Sequence, residues 1–267
     1  MSISTYQKLL NEIAAPNERT QIMKVLGAVA QPSSTWTTTL TLPGAAPTTA
    51  VVPTNTTTGS AGQQNGGAAA LRMVGGDLFD SAGQLWICDR LSHQGGLDAT
   101  VTSAQTTNLP TAALTRYTTG AGVMAALEIY TQIGASGTTV SCSYTNQAGT
   151  AGRTSPLIPN FGNTNFREVN HFFVVPFQQG DSGVQSVESV TVTATTGTAG
   201  NFGVTLFKPL IPYSFLANTP YASQINPMIH LGGFLPEVLD NACLWLVFFS
   251  ANATGVALGE LRFAEDT

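Results

Sequence analysis

Val187-Glu-Ser-Val-Thr-Val-Thr-Ala194 alternates valine with hydroxyl-bearing residues, which is the pattern of a β-strand that buries one face. Successive side chains of a strand point to opposite faces. We therefore expect the valines to lie in a core and the Thr face to be either exposed to solvent or at an interface. The loop TGTAG follows at residues 196–200, and a second strand-like segment occupies residues 201–208. Together these segments predict a β-hairpin.

Strand-like segments continue along most of the chain beyond residue 70. About eleven short runs of β-branched and aromatic residues are separated by Gly, Pro, Asn and Ser turns, with no helix of useful length between them. This order favours an all-β fold, specifically a β-sandwich of the jelly-roll type. The clearest candidate strands are residues 84–90, 124–132, 138–145, 170–177, 187–195, 201–208, 243–250 and 257–263.

The N-terminal region has a different pattern. Apolar residues recur at helical spacing over residues 4–27, so we expect two short helices that Pro16 separates and Gly27 ends. This helical region either packs on the body of its own subunit or docks on a neighbour as an arm. If it is an arm, removing residues 1–30 should abolish docking and leave the β-body folded.

Composition shifts divide the chain into three parts. Residues 1–30 form the predicted N-terminal helical arm. Residues 31–70 are rich in Thr, Pro and Gly, and they are interpreted as a linker with one strand that begins at Trp36. Residues 71–267 carry the remaining candidate strands and form the predicted β-sandwich body.

Charge is unusually sparse in this chain. Charged residues make up only 9% of the sequence, against about 25% in an ordinary soluble domain, so the surface is expected to be mostly neutral. A neutral surface lacks the repulsion that keeps copies apart, which suits a chain that works in an assembly. The formal net charge is -5 and the basic residues are scattered, so we expect no contact with nucleic acid.

Neither membrane insertion nor secretion is expected. The longest apolar run, Cys243–Phe249, is far shorter than the roughly 20 residues of a membrane-spanning helix. Polar residues also interrupt the N-terminus too often for a signal peptide. The three cysteines are odd in number and widely spaced, so we expect reduced, apolar side chains.

The motif Gly180-Asp-Ser-Gly183 matches the sequence around the nucleophile of chymotrypsin-like serine proteases. Such a site also needs a histidine base and an aspartate that orients it. His93 lies in a different local setting, and His171 is too close to Ser182 in the sequence to match that family. We therefore interpret the motif as a tight turn in which Asp181 accepts hydrogen bonds from backbone amides and the glycines take positive φ angles.

The remaining chemistry-bearing residues lack partners at useful spacing. No second His or Cys lies two or four positions from a histidine, so we expect no metal or cofactor. Asp89 and Arg90 with His93 are interpreted as an internal salt bridge or an intersubunit contact. No catalytic residue is predicted, and the chain is not expected to be an enzyme. The isolated histidines and acids are His93, His171, His230, Glu128, Glu168, Asp181 and Glu188.

Carbohydrate binding is an alternative, since jelly rolls with surface aromatic residues occur among lectins. Trp36, Trp86 and Trp245 all lie in apolar strand patterns, however, so we expect them to be buried. Gly120-Ala-Gly122 lacks the third glycine and the preceding strand of a dinucleotide-binding loop.

Three segments resemble a family of tailed-bacteriophage structural proteins encoded among head genes. The first is DRLSHQGGL at residues 89–97, and the second is YTNQAGTAGR at residues 144–153. The third is QQGDSGVQSVESV at residues 178–190, and its similarity continues to Leu210. Together they span roughly residues 70–210, which is the body of the chain.

This resemblance implies a non-enzymatic virion component with no catalytic residues. The implied role is a capsid decoration, or cement, protein that is made in the host cytoplasm and binds the major capsid protein at the capsid surface. Neutral Thr-rich strand faces and the N-terminal arm favour a homotrimer at three-fold positions. A phage tail, fibre or receptor-binding protein is the alternative.

Overall fold

Strands dominate the chain wherever its structure is described. A computed structural model describes residues 19–24, 35–38, 47–61, 70–79, 83–215, 222–225, 235–250 and 257–266. Within these ranges the one helical element is a single turn of 3-10 helix at Leu109–Thr111. The strands are β1 (Arg19–Lys24), β2 (Thr35–Thr38), β3 (Ala70–Phe79), β4 (Gly83–Leu97), β5 (Gln105–Thr106), β6 (Met124–Thr131), β7 (Thr138–Asn146), β8 (Arg153–Thr154), β9 (Ile158–Phe161), β10 (Phe172–Val174), β11 (Val184–Val192), β12 (Asn201–Phe215), β13 (Ala222–Ile225), β14 (Glu237–Val238), β15 (Leu244–Ser250) and β16 (Ala257–Asp266).

These strands form three antiparallel sheets, here named A, B and C. Sheet B has the strand order β10-β6-β12-β4-β15-β2. Sheet C has the order β5-β11-β7-β8, and β9 also pairs with β7. Sheet A has the order β1-β16-β3-β13, and β14 also pairs with β3. The long strands β4 and β12 run side by side through the middle of sheet B.

Sheets B and C pack face to face around the larger core. Val190 and Val192 of β11 belong to the same buried cluster as Val204 and Leu206 of β12. Residues of β7 alternate between buried and partly exposed at every position, as expected for a strand with one face in a core. The valine face of the stretch at residues 187–194 is therefore buried, and its Ser/Thr face points away from the sandwich.

Sheet A covers another part of sheet B. Met73 of β3 and Phe263 of β16 share a second buried cluster with Ile87 of β4, Ile211 of β12 and Leu246 of β15. Because β4 and β12 contribute to both clusters, the two cores are joined through the same pair of strands.

Aromatic side chains form a third cluster within sheet B. Trp245 lies 5.4 Å from Phe172 and 5.9 Å from Phe207 between ring centroids, and both contacts are edge-on. Edge-on contacts are a favourable geometry for aromatic pairs. Cys88 belongs to this cluster and Ile87 to the core under sheet A, as expected for neighbours in a strand.

The second predicted helix is wrong where the structure describes it. Residues 19–24 form β1, which pairs with β16 from Arg19 opposite Arg262 to Lys24 opposite Ala257. Helical spacing of a few apolar residues is a local signal, and hydrogen bonding to a strand near the other end of the chain overrides it. The first predicted helix lies outside the described residues.

The predicted hairpin of β11 and β12 is also wrong. β11 pairs with β5 and β7 in sheet C, whereas β12 pairs with β4 and β6 in sheet B. The connecting segment crosses between the sheets: Thr196 N donates to Ala99 O at 3.1 Å, and Gly134 N donates to Thr198 O at 3.1 Å. The glycine-rich loop thus makes an arch over the edge of the core instead of a tight turn.

The all-β class and the β-sandwich are confirmed, and each of the eight clearest candidate strands overlaps an observed strand. The jelly-roll topology and the three-part division of the chain stay predictions. No helix in the described ranges is long and apolar enough to cross a membrane.

Candidate functional site

The predicted polar cluster at Asp89, Arg90 and His93 lies in β4, the strand shared by the two cores. Neighbouring side chains of a strand point to opposite faces, so Asp89 and Arg90 do not pair with each other. Each forms its own buried ion pair, with Arg116 and with Glu128 respectively. The expected internal salt bridge is therefore two salt bridges, one on each side of the sheet.

Asp89 and Arg116 form a two-pronged contact. Arg116 Nε donates to Asp89 Oδ2 at 2.8 Å, and Arg116 Nη2 donates to Asp89 Oδ1 at 2.9 Å. Cys243 N donates to the same Oδ1, and Arg116 also donates to the carbonyl oxygen of Pro53. Burial raises the pKa of Asp89, while the bonds from Arg116 oppose that rise. The contact ties β4, the loop at residues 107–123 and the start of β15 together.

Arg90 and Glu128 form a tighter cluster on the opposite side. Arg90 Nη2 donates to Glu128 Oε2 at 2.6 Å, and both side chains are 0% exposed. Thr205 donates to Glu128 Oε2 at 2.8 Å and accepts from Arg90 Nη2 at 3.0 Å. The guanidinium carbon of Arg90 lies 4.9 Å from the ring centroid of Trp245, a cation–π contact.

His93 and Tyr130 complete this cluster. Arg90 Nη2 is 2.9 Å from His93 Nδ1. Since an arginine can only donate, Nδ1 is the acceptor and the histidine proton is on Nε2. Burial, together with the neighbouring Arg90 charge, lowers the pKa of His93 to about 2, so this histidine is neutral in the folded chain. Burial also raises the pKa of Tyr130, whose hydroxyl donates to Glu128 Oε2.

Several polar atoms of this cluster are buried and have no hydrogen-bond partner among the described residues: Arg90 Nε and Nη1, His93 Nε2, and Glu128 Oε1. A catalytic side chain must contact its substrate, and these side chains are fully buried. Their arrangement therefore favours a structural role that holds β4, β6 and β12 in register.

A turn overlaps the start of the Gly180–Gly183 motif: Asp181 N donates to Gln178 O at 3.1 Å and Gly180 has a φ of +92°, whereas Gly183 does not take the positive φ predicted for it. Asp181 does not act as predicted, because its partners in the described structure are side chains instead of backbone amides. Tyr144 Oη donates to it at 2.6 Å, Asn146 Nδ2 at 2.7 Å and Arg153 Nε at 3.0 Å. These hydrogen bonds, that from Tyr144 above all, hold the pKa of Asp181 below its usual range.

A protease site is not assembled around Ser182 in the described residues. Ser182 N donates to Gln147 Oε1 at 3.0 Å, and Ser182 O accepts from Gly122 N at 3.0 Å. His171 is directed elsewhere, since its Nδ1 lies 2.9 Å from the carbonyl oxygen of Glu168. Gly183 allows the backbone at residues 120–122 to approach, because a Cβ there would lie 2.0 Å from Gly120 O.

The remaining candidate residues are dispersed. Glu168 pairs with Arg167 and accepts from Gln132, while Glu188 accepts from Thr145 and Ser186. The described ranges contain no group of three or more His, Cys, Asp or Glu side chains that could hold a metal ion.

The apolar candidates are placed much as expected. Cys88, Cys142 and Cys243 are buried free thiols, and Trp245 is buried, as predicted. Trp86 is partly buried. The side chain of Trp36 and all of His230 lie outside the described residues.

The outer face of sheet C is a candidate interaction surface. Six of its partly exposed or exposed side chains are hydroxyls beside the carboxylate of Glu188, and we name these six the hydroxyl face: Thr106, Ser141, Ser143, Thr154, Ser189 and Thr191. The alternation at residues 187–194 predicted one strand of this face, and the same signal in β7 could have predicted a second.

Three residues of the polar clusters were missed by sequence reasoning. Arg116 lies in a loop 27 positions from Asp89, and Thr205 lies 115 positions from Arg90. Tyr130 was part of a candidate strand with no distinguishing signal. Such partners are invisible in sequence because the sheet, not the chain order, brings them together.

Comparisons with known proteins assign this chain to no family. No protein-family model matches it, and no curated protein matches it. Among solved structures, the chain is similar to a crystal structure of the infectious bursal disease virus VP2 subviral particle, with 11% identity and a TM-score of 0.19. The similarity covers 97% of this chain and 86% of that one, but a TM-score this low carries no inference about fold or function.

Proposed function

We propose that this chain is a structural component of a tailed-phage virion, a capsid decoration protein that stabilises the head by bridging major capsid subunits. The observation that carries the proposal is the hydroxyl face: a hydroxyl-rich, β-built surface on a chain whose described charges are largely paired internally. Such a face suits docking by shape and hydrogen bonding instead of by charge.

Two of the segments that resemble phage head proteins support the proposal by their placement. Tyr144, Asn146 and Arg153 come from the second segment, and all three side chains bond to Asp181 of the third. The two segments thus form one packed unit, which contributes Ser189 to the hydroxyl face and lies beside the rest of it. We infer that the residues behind the resemblance keep this edge of sheet C rigid.

The proposed mechanism is the addition of many weak contacts. A decoration protein that touches two neighbouring capsid subunits raises the free energy needed to separate them. When the contact is repeated over a shell, and when the protein itself associates as the homotrimer expected from its sequence, modest affinities combine through multivalency. In this proposal the protein acts at the capsid surface, is not an enzyme and needs no cofactor.

Co-sedimentation with expanded, empty capsid shells tests the proposal. The purified full-length chain should pellet with the shells and stay in the supernatant without them, and light scattering should give its native mass. A chain that stays in the supernatant at every shell concentration contradicts the capsid role. Binding of the chain to glycans instead of to capsid shells would support the tail or receptor-binding alternative.

The hypothesis that the N-terminal arm docks is tested with a shorter deletion than residues 1–30. Removing residues 1–30 would also remove β1 and leave the edge of β16 unpaired, so loss of binding would not isolate the arm. Removing residues 1–18 keeps β1. If the arm docks, this shorter deletion pellets less with shells and keeps the circular dichroism of the full chain. Unchanged pelleting would contradict the arm hypothesis.

A further inference from the structure

We infer that the buried polar cluster inside sheet B is a binding site for internal water. We name it the Arg90 cluster, and its members are Arg90, His93, Glu128, Tyr130 and Thr205. This site lies within sheet B, whereas the hydroxyl face lies on the outside of sheet C, so the water site stands apart from the proposed function.

Sheet B is strongly curved, and one of its faces is enclosed as a result. Phe172 of β10 and Trp245 of β15 are separated in the sheet by β6, β12 and β4. In a flat sheet, four strand spacings would put the two residues about 19 Å apart. Their ring centroids are 5.4 Å apart, and the edge strands β10 and β2 also lie close to each other. The sheet therefore folds over the face that carries both rings.

The Arg90 cluster lies on this enclosed face, next to the aromatic cluster. The guanidinium carbon of Arg90 lies 4.9 Å from the ring centroid of Trp245. Glu128 is opposite Phe172 in the pairing of β6 with β10, and opposite residues of antiparallel strands share a face. The side chains of Arg90 and Glu128 are both 0% exposed. Bulk solvent therefore does not hydrate this ion pair.

One atom of the cluster, Arg90 Nη2, is crowded with partners. It lies 2.6 to 3.2 Å from four atoms: His93 Nδ1, Glu128 Oε2, Tyr130 Oη and Thr205 Oγ1. The other two nitrogens of the same guanidinium, Nε and Nη1, have no hydrogen-bond partner among the described residues. The guanidinium is thus crowded at one nitrogen and unsatisfied at the others.

The buried atoms without partners are close together. Besides the two nitrogens of Arg90 they include His93 Nε2 and Glu128 Oε1. Each of these atoms is only two covalent bonds from Arg90 Nη2 or from an atom in contact with it, namely His93 Nδ1 or Glu128 Oε2. Trp245 Nε1 is a further buried atom of this kind, in the ring over which Arg90 lies. These atoms therefore surround one small region.

A polar ligand in this region would offset a large penalty. A buried donor or acceptor without a partner has lost its hydration and gained nothing in return, and the penalty is larger for charged groups such as Arg90 and Glu128. In folded proteins such groups are commonly satisfied by internal water, and each molecule typically makes about three hydrogen bonds. Water bound here would supply the partners that the described side chains do not.

The chemistry of the cluster selects water over an ion. Arg90 and Glu128 balance one positive charge with one negative charge, so an added ion would leave a net charge buried. The atoms to be satisfied are donors on Arg90, His93 and Trp245 and an acceptor on Glu128, and water both accepts and donates. Tyr130 is the partly exposed member of the cluster, and it marks the side from which water enters.

NMR transfer from water to side-chain protons, measured in the rotating frame, tests the inference on the unmodified full-length chain. The Arg90 Nε proton should show dipolar contact with a long-lived water, which the sign of the cross-peak distinguishes from proton exchange. Arg116 Nε is the internal control, because it is also buried but donates to Asp89 Oδ2 at 2.8 Å. Its proton should show no such contact. Absence of contact at Arg90, or equal contact at Arg90 and Arg116, overturns the inference.

A variant without the buried charges gives a second measurement. Oxygen-17 relaxation dispersion of the solvent counts the water molecules that a protein holds for long times. Arg90→Met with Glu128→Leu should lose at least one of them relative to the wild type. Arg72→Met with Glu237→Leu is the matched control, because it removes the same two charges from a more exposed pair, and it should lose none. Equal counts in the wild type and the Arg90 variant contradict the inference, and if that variant does not fold, the wild-type NMR measurement decides.

A chloride titration separates water from a bound anion. The contact at the Arg90 Nε proton should persist at every chloride concentration, because an anion gains nothing beside the Glu128 carboxylate. Loss of the contact as chloride is added would show that an anion takes this place, and it would overturn the assignment to water.

Discussion

Arg90 and Glu128 depend on each other because both side chains are fully buried. Glu128→Gln removes the negative charge and leaves Arg90 uncompensated, so we expect a loss of about 3–5 kcal/mol in the free energy of unfolding. Urea denaturation at neutral pH measures it. The double variant Arg90→Met with Glu128→Leu should recover much of the loss, because neither charge then remains buried.

The matched control for this pair is Glu237→Gln, because Glu237 pairs with Arg72 at 3.1 Å in a much more exposed setting. Exposed pairs contribute about 0–1 kcal/mol, so this variant should unfold almost like the wild type. Equal losses for Glu128→Gln and Glu237→Gln would show that burial of the Arg90 cluster does not govern its stability.

His93 should make the stability of the chain depend on pH. Its pKa is lowered to about 2 by burial and by Arg90, whereas a histidine in the unfolded chain has a pKa of about 6.5. Between these values the unfolded state binds a proton that the folded state does not, so stability falls as pH falls. From pH 6.5 to 5 this histidine should cost about 2 kcal/mol.

Urea denaturation at several pH values checks the effect. His93→Gln should lose less stability than the wild type over this range, whatever its stability at pH 7. Thr205→Val changes the same cluster without a titrating group, so its curve should run parallel to that of the wild type. A His93→Gln curve that is also parallel would contradict the role of His93.

At the scale of the elements, the pairing of β4 with β12 depends on Gly203. A Cβ at this position would lie 1.8 Å from Gln94 O, which is backbone and cannot move aside. Gly203→Ala should therefore destabilise the chain by about 1–3 kcal/mol or more, as overpacking does. Gly137→Ala is the control, since its Cβ would come no closer than 3.4 Å to Asn163. A thermal melt of both variants that shows equal midpoints would contradict this account.

At the scale of the whole molecule, the two cores should unfold together. Phe202 lies in the core between sheets B and C, and Phe263 lies in the core between sheets A and B. Because β4 and β12 run through both, loss of either core removes support from the other. Phe202→Ala and Phe263→Ala should each cost about 3–5 kcal/mol and shift one common transition. Two separate calorimetric transitions, each moved by only one variant, would contradict the shared sheet.

The sequence by itself determined the class of this fold. Period-two alternation, as at residues 187–194, depends only on the geometry of a strand, so the all-β class, most strand positions and the buried valine face could be predicted. The turn that contains Gly180 was predictable for the same reason, since turn chemistry is local.

Only the tertiary structure decided which strands meet. The segment at residues 19–24 became a strand because β16 lies beside it, and β11 and β12 faced each other across a core instead of pairing. Arg116 and Glu128 likewise became partners of β4 from distant positions. Pairing between strands is a choice among competing long-range partners, and its free energy comes from packing of whole faces, which no short stretch of sequence contains.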